Sequence, residues 1–256
     1  MSFSAVTDPV AASGGDTPPL VSGPLNVAGL DIDVIVSADR RGVRLTVERD
    51  ARITAAVPVG LDVDRLTELV KGRRRWLYSK LEDRAAAAAS RPTKRFITGE
   101  GFSYLGRSYR LKFVAAAPAP VQLVHGRFQI RRDRRHSASG DLIDWYRTRG
   151  QAWLPGRAAP WAQRLRVPLA QITVRKLGYR WGSCSPRGAI NIHWATMQLP
   201  IALVDYVLVH ELAHLQHHDH SAAFWCVVER AMPDYEVRRA RLADLGAQLW
   251  LPDAHD

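Results

Sequence analysis

His210-Glu211-Leu212-Ala213-His214, with His220 six residues further on, are the residues of this chain best suited to chemistry. On a helix, His210 and His214 lie one turn apart and project from one face. Two neutral imidazoles so placed can grip one metal ion, and a carboxylate next to them can take a proton from water that the ion activates. The spacing predicts a metal hydrolase that holds one Zn2+ per chain, with His210 and His214 as ligands and Glu211 as catalytic base.

The elements around the motif must supply that geometry. Pro200 is a helix-initiating residue, Asp205 lies in the first turns, and Ile201, Val204, Val207, Leu208, Leu212 and Leu215 form an apolar stripe. A helix this apolar belongs in a core, where histidines and a glutamate need partners, and a shared metal provides one for all three. Catalytic zinc takes three protein ligands. His220 is the first choice for the third: the helix would end near His217 or His218, turn through Asp219, and restart at Ala222 behind Ser221 as N-cap. Glu229 on the following helix is the competing ligand. The spacing to His220 equals that of metzincins, but His217 stands at their glycine and no methionine turn follows. His217 and His218 read as helix C-terminal residues that suit the negative end of the dipole.

Composition fits an enzyme. The chain has 256 residues, 46% of them apolar, enough for one larger core or two small ones. Cys184 and Cys226 are too few for a disulfide framework, and no signal-peptide pattern or membrane-length apolar run occurs, so a soluble, cytoplasmic protein is expected. The net charge of +11 comes from arginines spread along the chain, with clusters at Arg73 to Arg75, Arg131 to Arg135, and Arg238, Arg239 and Arg241. These read first as solvated faces of an Ala/Arg-rich protein, and second as nucleic-acid affinity.

An α+β chain is expected. Residues 1–25, rich in Ala, Ser, Gly and Pro, read as a disordered tail. Short β-type runs at 32–36, 43–47 and 53–57 suggest a small antiparallel sheet, and 64–89 reads as one long helix. Further strands are expected at 102–105, 109–113, 121–124 and 128–130, then a helix from Asp141 to Leu165. Strands at 172–175 and 188–194 flank an irregular polar stretch, Gly178 to Ser185, just before the metal helix. Such a strand pair could offer an edge to an extended peptide substrate. The expected division is a tail, a β-rich portion at 26–135 with one long helix, and a catalytic domain at 136–256.

Taken together, Arg180-Trp181-Gly182-Ser183-Cys184-Ser185, Gly188, Asp205-Tyr206-Val207, His210 to Leu215, His220-Ser221, Phe224-Trp225 and Pro233 resemble the YgjP-like metallopeptidase domain proteins, a zincin group. Tyr104 to Arg107, Tyr109 to Leu111 and Trp76-Leu77 match as well, so the resemblance covers about 27–251. It implies a zincin-like catalytic domain, its active-site helix packed on a small antiparallel sheet behind a β-rich N-terminal portion. It also implies His210, His214 and His220 as zinc ligands and Glu211 as base. The chain departs from that pattern at Asp219 and His193, where asparagine is usual. Arg180 is the candidate for stabilising an oxyanion, and Cys184 reads as a structural thiol. The expected activity is zinc-dependent peptide hydrolysis. The alternatives are a DNA-associated metalloprotease resembling SprT-like proteins and a non-catalytic, zinc-stabilised binding module.

Overall fold

The structure, a computed structural model, describes residues 5–9, 20–48, 51–89, 93–169, 171–178, 180–185 and 187–250. Six α-helices and three small sheets among these residues make an α+β chain. It divides into two compact units, 1–90 and 91–256, each with its own apolar core. The division falls well before residue 135, so the strands between 101 and 131 share a core with the histidine helix. No helix of the described residues is long and apolar enough to cross a membrane.

The first unit holds a five-stranded sheet: β1 (Ala5–Pro9), β2 (Gly23–Val27), β3 (Leu30–Ser37), β4 (Gly42–Val47) and β5 (Ile53–Pro58), in the order β1-β4-β5-β3-β2. Alternation sends Leu30, Ile32, Val34, Val43, Leu45, Ile53, Ala55 and Val57 to one buried face. The sheet is mixed where the sequence suggested antiparallel pairing, because β3 and β5 run parallel. The segment expected as a disordered tail, 1–25, shows no apolar period, yet β1 lies within it and β2 starts in it and runs on to Val27; β1 pairs antiparallel with β4 and β2 with β3. Residues 1–4 and 10–19 of that segment lie outside the described residues. The single helix expected over 64–89 is two, α1 (Val63–Gly72) and α2 (Arg74–Ala89). Asp62 caps α1 by accepting from the Arg65 N–H at 2.7 Å, and the backbone leaves the helical region at Arg73, just after the weak helix former Gly72.

In the second unit, β6 (Gly101–Tyr104), β7 (Arg107–Val114), β8 (Val121–Val124) and β9 (Arg127–Arg131) form a sheet ordered β6-β7-β9-β8. A 3-10 turn over Arg132–Ser137 leads into α3 (Ala138–Leu165), which starts before Asp141. Ala138, Leu142, Tyr146, Gly150, Leu154, Ala158 and Ala162 repeat every four residues and make its buried stripe. A third sheet, β10 (Ile172–Arg175), β11 (Gly182–Cys184) and β12 (Ile190–His193), has the order β10-β12-β11. It is mixed, not antiparallel as the resemblance implied. The β11-β12 hairpin is antiparallel, and β12 then runs parallel to β10 on its other side. A 3-10 turn over Trp194–Gln198 precedes α4 (Ile201–Ala213), and α5 (Ala222–Ala231) and α6 (Tyr235–Gln248) follow.

Packing fixes the start of α4. Gly106, at φ +79°, lies so close that a Cβ there would come within 2.8 Å of the Pro200 Cα, and the Leu105 N–H donates to the Met197 carbonyl at 2.8 Å. Gly150 of α3 similarly admits Met197 and Val174. Arg157 on α3 forms a bidentate pair with the buried Asp205 carboxylate on α4, at 2.6 and 2.5 Å.

Asp141, in the first turn of α3, accepts from Arg134 at 2.7 and 2.5 Å and from the Ser137 hydroxyl at 3.0 Å. The Arg134 guanidinium, and then the Ser137 hydroxyl, hold its carboxyl below the usual carboxylate range. A depressed pKa contributes stability above the unfolded value of about 3.9, and this is lost as pH falls through the folded value. Asp141→Asn should therefore cost about 1 kcal/mol at pH 7, a figure reduced because Arg134 is 39% exposed. Urea unfolding of both proteins should show the gap closing as the pH is taken below about 3.9.

Candidate metal centre

α4 is buried from Leu203 to Ala213, so its histidines and glutamate enter the interior because the apolar residues around them fold inward. The helix ends at Ala213, earlier than the sequence suggested, and His214 keeps helical φ/ψ as the C-cap. The chain then turns through residues 215–219 and returns His220 over the helix end, just before α5.

Three imidazoles meet there. Ring centroids of His210 and His214 are 5.0 Å apart, those of His210 and His220 5.0 Å, and those of His214 and His220 4.8 Å. One ligand atom from each lies within 4.8 Å of the others, so the group could hold a metal ion. His220 Nε2 and His210 Nε2 face each other at 3.1 Å. His214 Nδ1 is 3.0 Å from the His217 carbonyl and can donate to it, which leaves Nε2 as the lone-pair nitrogen. His217 thus serves through its backbone. Glu229 is exposed on α5 and is not part of the cluster.

Electrostatics favour the neutral ligand form. Burial, reinforced by His214 and His220, holds the His210 pKa well below the usual histidine value; burial also lowers His214 and His220. Neutral imidazoles whose ring nitrogens crowd together repel no cation and have lone pairs to give. The His210 Nδ1 is buried without a hydrogen-bond partner among the described residues, so its ring is held by packing. A donor set of three imidazoles suits a borderline ion such as Zn2+. The residues present fit the metal that the motif implies.

Glu211 is 2% exposed and lies against β11. A Cβ on Gly182 would meet its carboxyl carbon at 2.6 Å and its Oε1 at 2.5 Å, so only glycine leaves room for this carboxylate. Burial pushes the Glu211 pKa up to about 8, against a pull downward from the Arg180 guanidinium. Arg180 is exposed just before β11. Cys184 is half-buried at the other end of β11, and burial, then the Glu211 charge, raises its thiol pKa. This is the opposite of what a nucleophile needs.

Several contributors carry no sequence signal of their own. Phe224 on α5 packs against all three imidazoles, with centroids at 4.6 Å from His214, 4.9 Å from His220 and 5.0 Å from His210. The Trp225 ring centroid lies 5.8 Å from that of His220; Trp225 stacks on Tyr235, and the Arg239 guanidinium lies over the Trp225 ring at 5.2 Å. Phe224-Trp225 and Gly182 stand out only as part of the resemblance, since a lone aromatic or glycine does not announce what it will face. His193 is buried, and its Nδ1 accepts from the Ala195 N–H at 3.1 Å to cap the 3-10 turn. That is a structural role, at the start of the 3-10 turn that precedes α4. Asp219 is exposed and accepts from the Ser221 N–H at 3.4 Å, shaping the turn that returns His220.

No curated protein matches the chain. Among solved structures, the metallopeptidase zymogen of abylysin from Pyrococcus abyssi is similar at 25% identity, over 36% of this chain and 95% of that one, with a TM-score of 0.33. The family profile described as "YgjP-like, metallopeptidase domain" matches residues 41–245, a span that contains the three histidines, Glu211, Gly182 and both sheets of the second unit. The chain belongs to the YgjP-like metallopeptidase domain family.

Proposed function

We propose that this chain is a zinc-dependent peptidase in which His210, His214 and His220 hold the ion and Glu211 is the catalytic base. The observation that supports it best is the meeting of three imidazoles, one ligand atom of each within 4.8 Å of the others, with a buried carboxyl one residue from the first. When bound, Zn2+ supplies acidification of a water molecule and polarisation of a carbonyl.

The chain's own groups do the rest. Glu211 accepts the proton of the attacking water at a carboxylate oxygen, and the water oxygen bonds to the amide carbon. The same carboxyl then returns that proton to the leaving nitrogen as the C–N bond breaks. Its burial suits this shuttle, since a carboxyl raised toward neutrality both accepts and releases a proton near pH 7. Arg180, at the exposed end of β11, would stabilise charge on the carbonyl oxygen. β11 is an edge strand of its sheet, so an extended substrate backbone can pair with it and lie across Glu211. The substrate is a peptide or an unfolded protein segment.

The test is hydrolysis of a peptide library by the zinc-loaded chain, with new termini read by mass spectrometry. Cleavage should vanish with chelator and return with zinc. A zinc-loaded chain that cleaves nothing in the library would leave the site as a non-catalytic zinc module.

A further inference from the structure

The charge of this protein is not spread evenly. Residues 1–90 carry 12 Lys and Arg against 12 Asp and Glu, whereas residues 91–256 carry 24 against 13, so the net +11 belongs to the second unit. Part of it is gathered on one sheet. In β6-β7-β9-β8, Phe102, Leu111, Val121, Phe128 and Ile130 are buried, and Tyr104, Tyr109, Phe113 and Leu123 pack on the same core. Register then sends the alternate residues to the opposite face: Ser108, Arg110 and Lys112 of β7, Gln122 of β8, and Arg127, Gln129 and Arg131 of β9.

That face is built against its own stability. Arg110 stands directly across from Arg127 in the parallel β7-β9 register, with Lys112 two residues along. Like charges placed opposite one another destabilise a sheet. The four strands contain no Asp or Glu, and among the described residues only Arg131 of their cations, at the end of β9, has an acidic partner, Asp133. Arg110, Lys112 and Arg127 are exposed and make no ion pair or hydrogen bond through their side chains among the described residues. Gln122 donates to Gln129 at 3.1 Å, which keeps two amides beside the cations as further hydrogen-bonding groups.

We propose that this sheet face is a binding surface for duplex nucleic acid, held through its phosphates without sequence preference. Repulsion among three cations is relieved by an anion that spans them, and a polyphosphate backbone offers charges in series. Every aromatic residue of the sheet is on the core side, so unpaired bases would find nothing to stack on, whereas phosphates find arginine, lysine, glutamine and serine donors. The surface is separate from the histidine cluster, and the proposal does not depend on peptidase activity.

The experiment uses the full chain and a fluorescently labelled duplex of about 20 base pairs of arbitrary sequence, with anisotropy read as salt rises from about 50 to 200 mM. Three phosphate contacts predict a slope of log K against log salt of about −2.7, or a loss near 40-fold over that range. Arg110→Gln, Lys112→Gln and Arg127→Gln combined should flatten the slope and weaken binding about tenfold or more. The same variant should melt no lower than wild type, because the opposed charges are gone, and should keep its zinc. A control with the same charge change at the exposed Lys176, Arg230 and Arg241 should bind as wild type does. Equal losses in both variants would reduce the effect to bulk charge and overturn the proposal. So would wild type that fails to bind the duplex at low salt, or that binds phosphatidylserine vesicles in its place.

Discussion

Glu211→Gln is expected to retain about one zinc per chain and to lose peptide hydrolysis by about 10³-fold, the middle of the range for general-base catalysis. Glutamine has the shape of glutamate and fits the same slot against Gly182, where a Cβ would already clash with the carboxyl. The substitution leaves His210, His214 and His220 in place as the group that could hold the ion. The substitution therefore separates proton transfer from metal holding. Parallel measurements of zinc content and of kcat on a peptide found by the library screen would check it. Wild-type rates in the glutamine variant would remove Glu211 from the reaction, and loss of zinc with the activity would recast it as a support of the metal site.

Removal of a ligand should act in the opposite order. In His214→Ala or His220→Ala, zinc affinity is expected to fall by more than the 10- to 100-fold, roughly, typical of losing a group that only orients a ligand. With wild type at about 100 times its dissociation constant, zinc adds about 2.7 kcal/mol to stability. For a unit of this size that is a rise in Tm of roughly 5–10 °C on zinc addition. Both variants should show no such rise, and elemental analysis should find them nearly empty. The His220 variant is the more informative. Helical spacing guarantees only His210 and His214, while His220 reaches the cluster through the turn at 215–219 and packing on Phe224. Zinc retained in His220→Ala would mean that a residue other than the three histidines completes the site.

Most element types and the candidate metal-binding residues were legible in local sequence because both depend on short spacings, whereas Gly182–Cys184, without an apolar period, read as irregular and is the strand β11. Four residues between His210 and His214 place them on one helical face whatever surrounds the helix, and the apolar positions around them require that helix to be buried. Period-two alternation in β3, β4, β5, β7 and β9 likewise identified strands from neighbours alone. Pairing direction was not legible. Whether β3 meets β5 in parallel, or β12 runs beside β10, depends on which edge remains open after the intervening strand has paired. The β1 segment has no apolar period, so its place beside β4 rests on backbone pairing that leaves little trace in composition.

The site divides along the same line. By itself the sequence placed two histidines on one helical face with a carboxylate beside them and called for a third donor, because helix geometry is local. Only the tertiary structure brings His220 rather than Glu229 to that pair, since this depends on where α4 stops and how the next seven residues turn. It also decided that Gly182 clears space for Glu211 and that burial carries the Glu211 pKa to about 8. Close approach and desolvation are properties of residues distant in the chain and adjacent in space, and no window of sequence contains them.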